Sequence, residues 1–160
     1  MKTLHVTTPF TQLKLYFSDS ALVELDFEVE TDPDSKPVTG LMQLAQRQLQ
    51  AYAQSASEQL DLPLEPAGTV FQQRVWEVLR AIPVGRVRTY GDIARELGSS
   101  ARAVGNACRA NPIPLFIPCH RVVAKSGIGG FAGQTAGREL AIKTALLRHE
   151  GVEIPLLDPM

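Results

Sequence analysis

The chain has 160 residues, 44% of them hydrophobic, which suits one compact domain or two small ones, and its two cysteines are too few for a disulfide framework. No apolar run reaches the length of a membrane span and the N-terminus lacks the basic-then-apolar plan of a signal peptide, so a cytoplasmic, reducing setting is expected. The net charge of −1 hides a polarised chain: residues 1–67 hold four Lys/Arg against ten Asp/Glu, whereas residues 68–150 hold twelve against five, ten of the twelve being Arg.

A basic half joined to an acidic half points to a polyanion-binding domain with a non-binding companion. Chance segregation of solvated charge would give the same totals. The Arg bias favours the first reading, because the guanidinium fork suits phosphate. The expected division is residues 1–67 and residues 68–160.

Residues 3–8 and 13–17 read as short strands. From Leu22 to Glu30, Val23, Leu25, Phe27 and Val29 alternate with Glu24, Asp26, Glu28 and Glu30. That period of two predicts a half-buried antiparallel strand whose acidic face is solvated rather than metal-binding. A turn-rich loop over Asp32–Pro37 precedes an amphipathic helix from Val38 to about Ala53, with Leu41, Leu44, Ala45, Gln48, Leu49 and Tyr52 at helical spacing. Residues 54–68 connect the halves.

Thr69 can cap a helix running to about Ala81, with Phe71, Val75, Val78, Leu79 and Ile82 as its apolar stripe and Trp76 beside it as a core anchor. Pro83-Val84-Gly85 stops it, and Arg86 to Tyr90 is expected to be a short exposed link. Two helices follow, Gly91–Leu97 and Ala101–Ala110, around Gly98-Ser99-Ser100: a helix-turn-helix pattern. The second helix is nearly free of bulk, with Ala101, Ala103, Gly105, Ala107 and Ala110, and carries Arg102 and Arg109 roughly on one face. Small residues serve tight helix packing equally well, but a smooth helix flanked by arginines can approach DNA closely. Val104 and Cys108 are expected to face inward, making Cys108 a core thiol.

The stretch Ile117-Pro118-Cys119-His120-Arg121-Val122 comes after an apolar run holding Pro112 and Pro114. Three prolines exclude a regular helix, so Cys119 is expected on an extended or looped segment crossing a hydrophobic interior. A thiol there is either a small core hydrophobe or a nucleophile at the floor of a pocket. His120 and Arg121 favour the nucleophile, since both are costly to bury without a role and cationic neighbours lower a thiol pKa. Downstream, four glycines between Gly127 and Gly133 permit close backbone approach to a ligand, or form a flexible turn. Leu140, Lys143, Thr144 and Leu147 mark a last helix ending near Gly151, and the tail is expected to be irregular.

Pro-Cys-His-Arg-Val with Asn111 eight residues before the Cys resembles the active-site signature of the O6-alkylguanine-DNA alkyltransferases. The likeness extends from Phe71-Gln72-Gln73-Arg74-Val75-Trp76 through Thr89-Tyr90-Gly91-Asp92-Ile93-Ala94 to Leu146-Leu147-Arg148-His149-Glu150-Gly151. It implies an α+β chain: a small sheet-and-helix domain resembling ribonuclease H, then a winged helix-turn-helix alkyltransferase domain. It also implies a monomer that takes the alkyl group from O6-alkylguanine in duplex DNA, with no cofactor, and leaves activity on O4-alkylthymine and cooperative binding along DNA open. Some members bind zinc in the first domain through Cys and His. This chain has no Cys before Cys108, so no metal site is expected there.

Carried over residue by residue, Cys119 is the nucleophile, His120 its base through a bridging water, Glu150 the group that orients the imidazole, and Asn111 a brace for the turn before the Cys. Arg102 matches the residue that fills the space left by an extruded nucleotide, and Tyr90 the one that crowds the neighbouring phosphate and contacts the base. Thr89, Ala101, Ala103, Gly105 and Arg109 complete the DNA-facing set. Val122, Phe131 and Ala132 join Tyr90 around the lesion base. Phe131 stands where a Tyr is usual, the spacing from Gly127 to Phe131 is one residue short, and Gln134 replaces one of a Gly pair. These departures bear on alkyl-group preference rather than on reaction class.

A winged-helix regulator would leave the Cys-His-Arg cluster unexplained, and a cysteine hydrolase would not explain the DNA-binding half. A non-catalytic lesion-binding relative is the nearest alternative, but in such proteins the Cys is replaced.

Overall fold

The computed structural model describes residues 1–27, 30, 32–57, 60–125 and 138–153. The fold is α+β and divides into two units. The first comprises Met1–Ala67 together with Pro112–Phe116, and the second comprises Gly68–Asn111 and Ile117–Met160.

In the first unit β1 (Lys2–Thr7), β2 (Gln12–Phe17) and β3 (Leu22–Phe27) form an antiparallel sheet in sequence order. The alternation expected along β3 holds only in part. Tyr16 pairs with Glu24 and Phe17 with Leu22, so Val23 is the extra residue of a bulge. The bulge puts Leu22 and Leu25 in the core while Val23 is half-buried, since one extra residue flips the facing of every later residue in the strand. Glu28 and Val29 lie outside the described residues.

Helix α1 (Gly40–Gln54) is capped by Thr39, whose hydroxyl accepts from the Met42 N–H. Its buried residues are Met42, Ala45, Leu49 and Tyr52. The core stripe is thus rotated from the expected one: Leu41 and Leu44 lie at its margins. Gln48, expected in the stripe, instead clamps the loop after the helix. Its amide donates to Asp61 O at 2.8 Å and accepts from Asp61 N at 2.8 Å. Leu25 N donates to Pro112 O at 2.9 Å, which ties the proline-rich segment into this unit.

The second unit is mainly helical. Helix α2 (Val70–Arg80) begins with the expected Thr69 cap as a reciprocal capping box with Gln72, a motif that satisfies two orphan donors and contributes about 1 kcal/mol. Trp76 is buried and its Nε1 donates to Ala107 O at 2.9 Å. A side chain at Gly68 would run into the Trp76 indole.

The link expected to be exposed contains β4 (Arg88–Thr89), which pairs in parallel with β5 (Val122–Val123). This non-local pairing half-buries the link. It also sets the start of α3 (Tyr90–Leu97) beside the segment that leaves Arg121. Helix α3 opens on a Thr89–Asp92 capping box and ends at Gly98, whose φ of 65° is the left-handed cap that glycine allows. Helix α4 (Ala101–Arg109) starts from a Ser100 cap.

Helix α5 (Arg138–His149) ends in a Schellman motif. Gly151, at φ 79°, donates to Arg148 O, and Val152 donates to Leu147 O. Val152 and Leu147 meet in a cluster with Val123. This closure fixes Glu150 at the helix end.

Candidate active site

The approach to Cys119 is a loop, as the prolines require, but Cys119 itself is not extended. It opens a single turn of 3-10 helix, Cys119–Arg121, packed against α2 and α5. Leu115, just before it, has a φ of 77° although it is not glycine, a region that L side chains rarely adopt. Asn111 Nδ2 donates to Ile117 O at 2.9 Å, bracing this bend, and the Asn111 side chain also hydrogen-bonds the Cys119 thiol.

The charged groups of the turn are buried together. His120 is 0% exposed, Glu150 6% and Arg121 8%. His120 Nε2 lies 2.8 Å from Glu150 Oε2. Because the carboxylate accepts that bond, Nε2 carries the proton and Nδ1 is left as the lone-pair nitrogen. His120 Nδ1 is buried and has no hydrogen-bond partner among the described residues.

Arg121 takes the other side of the same carboxylate. Its Nε donates to Glu150 Oε1 at 2.7 Å and its Nη2 to Glu150 Oε2 at 3.1 Å, while Nη1 donates to Ile82 O at 2.7 Å. Burial alone would raise the Glu150 carboxyl, but the hydrogen bonds and charges of His120 and Arg121 outweigh it and hold it well below the usual carboxylate range. For His120, burial lowers the pKa and outweighs the upward pull of Glu150; Arg121 and Lys143 add to the lowering.

The thiol departs from expectation. Cationic neighbours were expected to lower Cys119, yet burial pushes it up, and the Asn111 hydrogen bond and Lys143 charge only partly oppose that. Arg121, the adjacent cation, is committed to Glu150 and Ile82. The resting group is therefore a neutral thiol.

Lys143 was read only as one of the residues marking the last helix. It is 0% exposed, and its Nζ donates to Val122 O at 2.7 Å. Burial brings it down to about 8, against the opposing pull of Cys119 and Cys108. Lys143 is the site group for which no role was foreseen, and Arg121, expected to act on the thiol, is instead bound to Glu150 and Ile82. The available signals were a guanidinium inside an apolar run and a lysine seven residues, two helical turns, before Glu150.

Cys108 is not fully in the core. Val104 and Ala107 are the buried residues of α4, and Cys108 flanks them with partial exposure. Its thiol is nonetheless pushed up to about 12 by burial, with Cys119 adding to the shift. Tyr90 is half-buried at the start of α3, and its phenol is held above the usual range by burial and by the nearness of Cys108 and Cys119. The Thr89 hydroxyl caps α3 by accepting from Asp92 N at 3.0 Å. Ala101, Arg102 and Arg109 are exposed on α4, and Ala103 and Gly105 are half-exposed. Val122 is buried. Phe131, Ala132, Gln134 and the rest of the Gly-rich segment lie outside the described residues, as does the tail from Ile154.

A buried thiol, an imidazole polarised by a carboxylate and an arginine-bearing helix of small residues share one helical unit, the plan of a thiol group-transfer enzyme built onto a DNA-binding fold. The chain belongs to the 6-O-methylguanine DNA methyltransferase family: residues 70–152 match that family's DNA binding domain. A methylated-DNA–protein-cysteine methyltransferase of Methanosarcina acetivorans is 45% identical over 67% of this chain and 67% of its own length. One of Metallosphaera sedula is 37% identical over 92% of this chain and 93% of its own. The crystal structure of the Mycobacterium tuberculosis O6-methylguanine methyltransferase superposes with a TM-score of 0.75 at 38% identity, covering 92% of this chain and 91% of that one. The same enzyme in complex with DNA gives a TM-score of 0.75 with the same identity and coverage. No helix among the described residues is long and apolar enough to cross a membrane.

Proposed function

We propose that this chain repairs DNA by moving the alkyl group of O6-alkylguanine onto Cys119, once per molecule. The observation that carries this is the His120 geometry: Nε2 is held by Glu150 at 2.8 Å and Nδ1 is left as a buried acceptor in the residue next to the thiol. A neutral buried thiol beside a neutral imidazole is a nucleophile with its base in waiting. The thiol proton passes through a bridging water to Nδ1. Sγ then bonds to the alkyl carbon as the C–O6 bond breaks, its electron pair stays on O6, and the guanine takes up a proton to leave as normal guanine.

The resulting thioether has no carbonyl for water to attack, so the protein is consumed. The target carbon lies inside a base stack, so the nucleotide must be turned out. Arg102 on the exposed side of α4 is suited to fill the gap, and Tyr90 to meet the extruded base. The pair α3–α4 acts as the helix-turn-helix of a winged domain, with α4 in the minor groove, where base edges are degenerate and a repair protein can read any sequence. The first unit is a ribonuclease H-like companion without chemistry. The protein acts as a monomer.

The alternative of a non-catalytic lesion binder is disfavoured by Cys119 itself, which is present and hydrogen-bonded to Asn111. Intact-protein mass after exposure to excess duplex holding O6-methylguanine tests the proposal. One methyl group should be gained, mapping to Cys119, and none in Cys119→Ser. Sustained turnover, or a label on Cys108, would overturn it.

A further inference from the structure

The guanidinium of Arg121 is the least explained charge in the second unit. It lies one residue from the proposed base and makes three hydrogen bonds, two of them to the carboxylate that binds that base. Lodging a cation in this interior needs more than the turn's shape, since an Ile82 carbonyl could be satisfied by a neutral donor.

A buried carboxylate with only an imidazole for a partner draws a proton onto that imidazole, because the ion pair is better than one bare charge. Arg121 removes the incentive. With its fork on both oxygens, Glu150 is already neutralised, and a second proton on His120 would leave a net positive charge in a buried site. We infer that Arg121 is a positioning residue for alkyl transfer: by compensating Glu150 it holds His120 as the neutral Nε2–H tautomer, with Nδ1 free to accept the thiol proton. This rests on the proposed role of Cys119 and His120 and deepens it.

The other charged groups that face His120 act in the same direction or are remote. Lys143 of α5 is a further cation and disfavours imidazolium. Helix α2, which packs on the turn, leads into the Ile82 carbonyl, and its own Arg74, Glu77 and Arg80 are exposed. Cys119, the neighbour on the same turn, is a neutral thiol at rest. Glu150 is thus the group that pulls His120 upward, and Arg121 is what opposes it by direct contact.

Only the neutral imidazole can take the thiol proton, so a raised His120 must slow the reaction in acid. With the guanidinium removed, the pull of Glu150 on His120 is less opposed and its pKa rises, so a smaller share of it is neutral at pH 6 than at pH 8. The test is the single-turnover methylation rate of Cys119 across pH 5.5–8.5, tracked by intact mass, in the wild type, Arg121→Met and Arg121→Lys. The ratio of Arg121→Met to wild type should be about tenfold lower at pH 6 than at pH 8. Arg121→Lys keeps a charge without the fork, so its acid limb should stay near that of the wild type. A constant ratio at every pH, or an acid limb that moves equally in both variants, would overturn the inference.

Should Arg121→Met not fold, nitrogen-15 spectra of the histidine rings decide the matter in the wild type and Arg121→Lys. His120, identified by its loss in His120→Ala, should show the neutral Nε2–H signature at pH 6. An imidazolium signature there in the wild type would refute the inference. Failure of the underlying reading is separate: the wild type would then take up no methyl group at Cys119 at any pH.

Discussion

The outer side of α4 and the 3-10 turn at Cys119 both carry arginine, and they use it in opposite ways. Arg102 is exposed and has no hydrogen bond or ion pair among the described residues, while Arg121 is buried with three hydrogen bonds to fixed oxygens. On α4 the guanidinium is solvated and ready for an external anion. In the turn it is desolvated and committed, and its charge acts on its neighbours. The lesson is that an arginine-rich half is not uniformly a binding surface. Burial decides which arginines are open to a ligand and which are held by the fold's own groups.

The largest effects should come from the buried region. His120→Ala should slow Cys119 methylation at pH 7 by about 10²- to 10⁴-fold, the usual range for a general base. Its pH–rate profile should move upward, because the thiol must then ionise unaided from a raised pKa. Duplex affinity should be unchanged by gel shift, and an unmoved profile would remove His120 from the role of base.

Next comes the stability of the same cluster. Arg121→Ala leaves a buried carboxylate without its fork and should cost about 3–5 kcal/mol in urea unfolding, whereas Arg102→Ala should change stability by less than about 0.5 kcal/mol. Equal losses would erase the contrast between the two regions. Wild-type stability should also fall with acid in two stages. His120 has a folded pKa below its unfolded value, so its contribution is full above about 6.5 and declines as pH falls through the folded value. Glu150, also depressed, has the same sign in the carboxylate range and below. In His120→Ala the first stage should vanish.

On α4 the effects should be smaller and confined to DNA. Arg102→Ala should slow repair in duplex by about tenfold, the order expected if part of the unstacking cost is left uncompensated, and should leave repair of the free base nearly unchanged. The salt slope of duplex binding should fall by about one unit if Arg102 also neutralises a phosphate. Equal losses on both substrates would separate Arg102 from extrusion.

The smallest effect tests whether α4 needs its smoothness. Nothing lies within 4 Å of a Cβ placed on Gly105, so Gly105→Ala should stabilise the helix by about 0.5–1 kcal/mol. Weaker duplex binding in that same variant would mean that the helix seats closely in a groove.

Much of the molecule was legible because it is local. Thr69 with Gln72, Gly98 after Leu97 and Gly151 after His149 are helix punctuation that works through neighbours within a few residues. The Cys119-His120 pair and the small residues of α4 were equally plain in the string.

What the string could not show was set by non-local packing. A two-residue parallel pairing of Arg88–Thr89 with Val122–Val123 has no periodicity of its own to read. The bulge at Val23 depends on the register with Tyr16 and Phe17, and the rotated stripe of α1 on which side the sheet covers. The thiol was expected to be lowered because a cation is its neighbour in sequence. Only the fold shows that Arg121 turns to Glu150, 29 residues away, and that burial governs Cys119. By itself the sequence determined the helix ends and the family, since local sterics, hydrogen bonding and residue order specify them. The tertiary structure decided protonation, because the charge a buried group carries depends on desolvation and on partners that only folding brings within reach.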